Sequence, residues 1–145
     1  MIIVRERPPM FAEIVKAFPE ADSPGALFTW GNRIYNPSKA NIPRELLAHE
    51  EVHHQRQGEE EAGIRAWWER YLVDARFRLD EELPAHIAEY KAFRGGRSGY
   101  SRKGMLHHIA DRLSGPFYGG LVTYQEAVEL ISEGAFGVVT MAPKT

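Results

Sequence analysis

The chain has no cysteine. Thiolate metal sites are therefore excluded, and the composition fits a reducing cytosol. A large charge of one sign is also missing: 18 Lys and Arg against 20 Asp and Glu leave a formal net charge of −2. Such a balance gives no general attraction to nucleic acid or to an anionic membrane surface. No apolar run is long enough to span a bilayer. Ile2-Ile3-Val4 is followed at once by Arg5-Glu6-Arg7, which is not the form of a secretory signal. No internal repeat or linker is visible. What remains is an ordinary globular composition, 43% hydrophobic and 26% charged over 145 residues. It predicts one soluble, cytoplasmic domain spanning 1–145, large enough to bury a sizeable core.

Against that plain background one motif stands out. His49-Glu50-Glu51-Val52-His53 reads H-E-x-x-H. On a helix, residues four apart share a face, so His49 and His53 can aim two imidazoles at one metal ion. Glu50 then hangs beside the metal without binding it. Two nitrogen ligands, an open coordination position and a carboxylate that takes a proton from water are what a zinc hydrolase needs. Given 6 His in 145 residues, chance supplies roughly 0.03 such matches. The surroundings predict the helix that the motif requires, over about 43–57. Asn41 is a candidate N-cap, Pro43 suits a first turn, Arg44-Glu45-Leu46-Leu47-Ala48 are good helix formers, and Gly58 offers a stop.

A third protein ligand must come from elsewhere. No H-x-x-G-x-x-H continuation follows His53, so a carboxylate or a distant histidine is expected. Residues 80–90 are the best source, with Leu83, Ile87 and Tyr90 spaced as one apolar stripe of a helix. Glu82, His86 and Glu89 lie near one another on that helix, and any of them could reach a metal held by a neighbour.

H-E-x-x-H followed by a helix bearing E-x-x-A and then an aromatic, His or Asp resembles the gluzincin pattern. There the second helix supplies a glutamate as third zinc ligand. The resemblance implies Glu82, followed by Leu83-Pro84-Ala85-His86, with Glu81 and Glu89 as alternatives. Pro84 departs from the polar helix former usual at that place. Ile34-Tyr35-Asn36-Pro37, His53-His54-Gln55-Arg56-Gln57, Trp67-Trp68-Glu69-Arg70-Tyr71-Leu72-Val73-Asp74 and Ile109-Ala110-Asp111-Arg112-Leu113-Ser114-Gly115-Pro116-Phe117-Tyr118-Gly119 resemble segments of small metallopeptidases encoded by tailed bacteriophages and prophages. The likeness covers about residues 28–132. It implies a minimal zincin-like domain, α+β and mainly helical, with a short β-hairpin or sheet beside the H-E-x-x-H helix. It also implies Zn²⁺ as cofactor, a peptide or protein substrate and, if phage-encoded, the host cytoplasm.

The parts suggest a mechanism. Glu50 acts as general base, and one donor stabilises the oxyanion. Tyr118, in its glycine-flanked loop, is the first candidate for that donor, ahead of His86, Tyr90 and His107. Asp74 is a candidate partner for a ligand histidine, or else an ion-pair partner of Arg70 or Arg78. Two rival readings stand beside the peptidase: a non-catalytic structural zinc protein of a phage particle or assembly pathway, and a zinc hydrolase of cell-wall material.

The rest of the chain reads simply. Ile2-Ile3-Val4 predicts a short strand, and Pro8-Pro9 opens a helix carrying Phe11, Ile14, Val15 and Phe18. Residues 26–30 and 33–35 around Gly31-Asn32 predict a hairpin with a type II′ turn, whose edge at Arg33-Ile34-Tyr35 suits strand addition by an extended peptide. Glu59-Glu60-Glu61 reads as a solvated helix start. A helical region over about 64–93 carries the stripe Trp68, Leu72, Ala75 and Leu79, broadened by Ile64, Trp67 and Tyr71, which marks core. Pro84 predicts a break near 79–82. Residues 94–104 read as a basic, glycine-rich loop, a surface loop or a lid over the cleft. His107 and His108, adjacent on a further helix over 105–113, predict one core-facing and one exposed histidine rather than a metal pair. Thr123 and Glu126 form a capping box for a last helix, and residues 136–141 suggest a strand.

Overall fold

The computed structural model describes residues 1–95 and 99–136. The fold is α+β and mainly helical. Strands β1 (Ile2–Val4), β2 (Phe28–Trp30) and β3 (Arg33–Tyr35) form one sheet, and helix α1 (Phe11–Ala17) lies between β1 and β2 in sequence. Helices α2 (Arg44–Gln57), α3 (Glu61–Val73), α4 (Ala75–Ala92), α5 (Arg102–Leu113) and α6 (Tyr124–Phe136) follow. Among the described residues no helix is long and apolar enough to cross a membrane.

The hairpin forms where two β-prone runs flank Gly31-Asn32. Thr29 pairs with Ile34 across it. Gly31 has φ of 61°, a conformation that favours glycine, and a Cβ there would sit 2.7 Å from Ile64 Cδ1. The strand order is β1-β3-β2, with β1 parallel and β2 antiparallel to β3. This corrects the expectation for Arg33-Ile34-Tyr35: β3 is the central strand and has no free edge. The outer edges belong to β1 and β2. On β2, the Thr29 carbonyl accepts from Gln57 Nε2 and Trp68 Nε1, both at 3.0 Å, so α2 and α3 are tied to that strand.

Two apolar clusters hold the chain. One joins α1, the sheet and α3 through Ile14, Phe28, Trp30, Trp67, Trp68 and Tyr71, the aromatics the stripe marked as core. The other joins α4, α5 and α6 through Leu79, Tyr90, Ile109, Leu113 and Ile131. The H-E-x-x-H helix α2 packs along α4.

Several boundaries differ from expectation. Pro43 is the N-cap residue of α2 rather than part of its first turn, and Asn41 takes no part in the cap. Gly58 does end the helix, at φ of 79°. The long helical region breaks at Asp74, not at 79–82. Asp74 caps α4 by accepting the Phe77 N–H at 3.0 Å. Pro84 sits inside α4. Its missing N–H leaves the carbonyl of Asp80 without its usual donor one turn on. Residues 102–104 belong to α5, capped by Ser101, rather than to a loop. Residues 96–98 of the expected lid, and the expected strand beyond Phe136, lie outside the described residues; Phe136 itself ends α6. Thr123 and Glu126 make the reciprocal capping box, at 3.0 Å each way.

Candidate metal centre

The α2 sequence places His49, Glu50 and His53 on its buried side, within one turn of one another. From α4 come Glu82, His86 and Glu89, buried likewise at i, i+4 and i+7. The two helices bring these six polar side chains together in the space between them.

Three atoms converge. His49 Nε2 lies 3.0 Å from Glu82 Oε1, His53 Nε2 lies 2.7 Å from the same oxygen, and the two nitrogens are 3.2 Å apart. A tetrahedral ion with bonds of ~2.0–2.1 Å needs donor atoms roughly 3.3 Å apart. The triangle is slightly tighter than that, so an ion of this size enters with a small outward movement of the ligands. Glu50 stands beside the triangle, within the same 4.8 Å cluster as the two histidines. The site could hold a metal ion.

Each group in it is held. His49 Nδ1 meets Glu89 Oε1 at 2.7 Å, the carboxylate–histidine arrangement that fixes a ligand's tautomer. Tyr71 donates to Glu82 Oε2 at 2.5 Å, which leaves Oε1 for the triangle. Thr29 donates to Glu50 Oε2 at 2.9 Å. His86 Nδ1 lies 3.0 Å from Glu89 Oε1, so one carboxylate oxygen serves two histidines. His53 Nδ1 is the exception: it is buried with no hydrogen-bond partner among the described residues.

The electrostatics agree with the geometry. Burial acts to lower His49, but its hydrogen bonds to Glu82 and Glu89 outweigh burial and hold its imidazole well above the usual value. Burial acts to raise Glu82, yet the two histidines hold it well below the carboxylate range. Burial likewise opposes the ionised form of Glu89, and its histidine partners still bring it down to about 2. Two ionised carboxylates thus call for positive charge at this point. A proton on His49 supplies one unit and a divalent ion would supply two. Glu50 is raised, chiefly by burial. Tyr71 and Tyr118 are raised well above the usual phenol by burial and by Glu82, so both remain hydrogen-bond donors.

A cleft of ≈ 630 Å³ opens onto the cluster and runs past residues 25–28. Tyr118 lines it. Arg78 sets the loop of Tyr118 by donating to the carbonyls of Phe117 at 3.0 Å and Tyr71 at 2.7 Å. The Tyr118 hydroxyl has no hydrogen-bond partner among the described residues.

Of the residues named from sequence, His49, Glu50, His53 and Glu82 come together, with Tyr118 and His86 on the same cleft. Glu81 points elsewhere, bound by Trp67 at 2.7 Å and Arg56 at 2.7 Å. Glu89 is the partner of a ligand rather than a member of the triangle. Tyr90 belongs to the apolar core. His107 lies against Tyr124. His108 stacks on Tyr100 at 5.0 Å. Neither is core-facing, because Met105, Ile109, Ala110 and Leu113 form the buried side of α5. Asp74 is a helix cap paired with Arg70, as weighed, and takes no part in the cluster. Glu61, read as solvated, accepts from Trp30 Nε1 at 3.1 Å. Thr29 and Tyr71 hold Glu50 and Glu82, and the sequence signals only Thr29, as a lone hydroxyl residue inside an apolar strand, Phe28-Thr29-Trp30.

Comparison of the chain with family models, with curated proteins and with solved structures finds no match.

Proposed function

We propose that this protein is a zinc-dependent hydrolase of gluzincin type, most simply a metallopeptidase, with His49, His53 and Glu82 as ligands. The observation that carries the reading is the convergence of His49 Nε2, His53 Nε2 and Glu82 Oε1 with Glu50 beside them at an open cleft. A zinc ion held there by His49, His53 and Glu82 would supply Lewis acidity and make water more acidic at neutral pH. Glu50 takes the proton from the attacking water. Thr29 fixes its Oε2, and burial brings its basicity nearer neutrality. The same carboxyl then gives the proton to the leaving amine. Tyr118 donates its phenol hydrogen to the oxyanion. Residues 25–28 line the cleft and lead into edge strand β2, which gives an extended peptide a place to lie beside the metal centre.

One observation favours the structural zinc protein instead. His86 lies with His49 and Glu82 in a second cluster whose ligating atoms fall within 4.8 Å, and a fourth protein ligand would close the site.

Glu50→Gln separates the two. It is nearly isosteric and removes no ligand of the triangle. As a general base, Glu50 is expected to be worth about 10²–10⁴-fold in rate. The variant should therefore keep one zinc per chain by metal analysis and lose hydrolysis of a substrate found by peptide-library digestion. Full activity in that variant would end the hydrolase mechanism. Loss of zinc in His86→Ala would favour the closed, structural site.

A further inference from the structure

Helix α5 contributes His108, Ile109 and Arg112 to the cleft, and His108 and Arg112, four apart, share a face. Among the described residues that line it, Arg112 is the only arginine or lysine.

Most guanidinium groups near this core are occupied. Arg56 pairs with Glu81, Arg70 with Asp74 and Arg76 with Asp80. Arg78 and Arg102 donate to backbone carbonyls. Arg112 makes no side-chain hydrogen bond or ion pair among the described residues.

Four carboxylates line the same cleft, and none of them serves it. Glu50, Glu82 and Glu89 are taken by Thr29, by His49, His53 and Tyr71, and by His49 and His86. Glu20, also on the cleft lining, forms no ion pair among the described residues. Arg112 and Tyr118, the donor facing the cleft, line the same cleft, and the positive charge of Arg112 acts on that phenol. A planar fork of donors left open at such a place matches a planar anion brought from outside. On a peptide that anion is a carboxylate.

We propose that Arg112 binds a carboxylate of the substrate and so makes the site selective for substrates that carry one within reach of the metal centre. The carboxylate belongs to a free C-terminus or to an Asp or Glu side chain. The proposal rests on the zinc hydrolase reading above.

The test uses zinc-loaded protein and two hydroxamates of equal size, succinic acid monohydroxamate and its primary amide, over a short series of spacer lengths. Binding is read by calorimetry. A charge-assisted pair should make the carboxylate form bind roughly tenfold more tightly at one spacer length. Arg112→Gln should erase that preference and leave the amide form unchanged. Arg112 is exposed, so the variant keeps its fold. Equal binding of the two probes by the wild type, or a preference that survives in Arg112→Gln, overturns the proposal. Zinc-loaded protein that binds neither hydroxamate removes the open-site reading itself, and the proposal with it. In library digestion, cleavage that C-terminal amidation stops assigns the carboxylate to the terminus. Cleavage that follows Asp and Glu regardless of amidation assigns it to a side chain. Cleavage indifferent to both overturns the proposal.

Discussion

Helix α4 carries two buried faces of opposite chemistry. One turns Leu79, Leu83, Ile87 and Tyr90 to α5 and α6, where Met105, Ile109, Leu113 and Ile131 meet them. The other turns Glu82, His86 and Glu89 to α2, around the fully buried Ala85. The apolar face is stable wherever it is covered, because removing its area from water is favourable on its own. The polar face is different. Several ionisable groups out of water cost several kcal/mol each unless their partners are present and well placed. Both carboxylates of that face, Glu82 and Glu89, are bound to histidines, and Glu82 also to a tyrosine. A stability role alone would be served as well by leucine. What leucine could not do there is hold a metal ion, which this face could.

The largest expected effect separates the two faces directly. His49→Ala leaves Glu82 and Glu89 buried without their shared partner. It should cost about 3–5 kcal/mol of stability and abolish zinc binding. Leu113→Ala, on the apolar side, should cost a similar amount, about 2–5 kcal/mol, yet keep one zinc per chain. The measurement is thermal unfolding with and without a chelator. Wild type and Leu113→Ala should lose stability when zinc is removed, and His49→Ala should not respond. Comparable zinc loss in Leu113→Ala would show that the faces are one cooperative unit.

The same contrast explains what the sequence made legible. His49, Glu50 and His53 are readable because helical spacing alone brings them together. Glu82 needed a resemblance: Glu82 and Glu89 share the face toward α2, Glu81 lies one residue round from it, and nothing local tells which of the three gives the ligand oxygen. Leu83 and Ile87 read as the buried stripe of α4, but they are only half-buried, and the charged positions beside them are the buried ones. A periodicity rule that equates apolar with buried fails on such a helix. The break at Asp74 was missed because Pro84 is the louder signal, although Asp74 holds the capping interaction. The parallel pairing of β1 with β3 joins strands separated by α1 and β2, and no local pattern encodes it.

A smaller effect probes the supporting contacts of the polar face. Glu89 touches His49 through Nδ1 and stays outside the triangle. Loss of such an outer partner weakens metal binding by about 10–100-fold. Glu89→Ala should reach the upper part of that range. Glu89→Gln should fall near the lower end, because its amide oxygen can still accept from the imidazole. Competition with a coloured zinc chelator gives both values. A Glu89→Ala protein with wild-type affinity would mean that His49 is oriented by packing alone. A complete loss of zinc would move Glu89 into the ligand set.

The smallest effect belongs to the apolar face and tests how tightly it is packed. Gly134 in α6 faces Ile87 in α4, where an added Cβ would sit 2.4 Å from Ile87 Cδ1 and 3.0 Å from Cγ1. Both contacts are too short, and the second involves the less mobile part of the side chain. Overpacking of this kind costs about 1–3 kcal/mol. Alanine returns about 1 kcal/mol, because glycine is a poor residue for a helix interior. Gly134→Ala should therefore destabilise by about 1 kcal/mol in denaturant unfolding, with zinc affinity unchanged. Ile87→Val removes Cδ1 and with it the worst overlap. In the double variant the two changes should couple favourably by about 0.5 kcal/mol or more, the range seen for residues in direct contact. Strict additivity would mean that α6 shifts bodily to admit the methyl group, and a packed interface would not allow that shift. A fall in zinc affinity on Gly134→Ala would show that strain on one face of α4 is transmitted through the helix to the other.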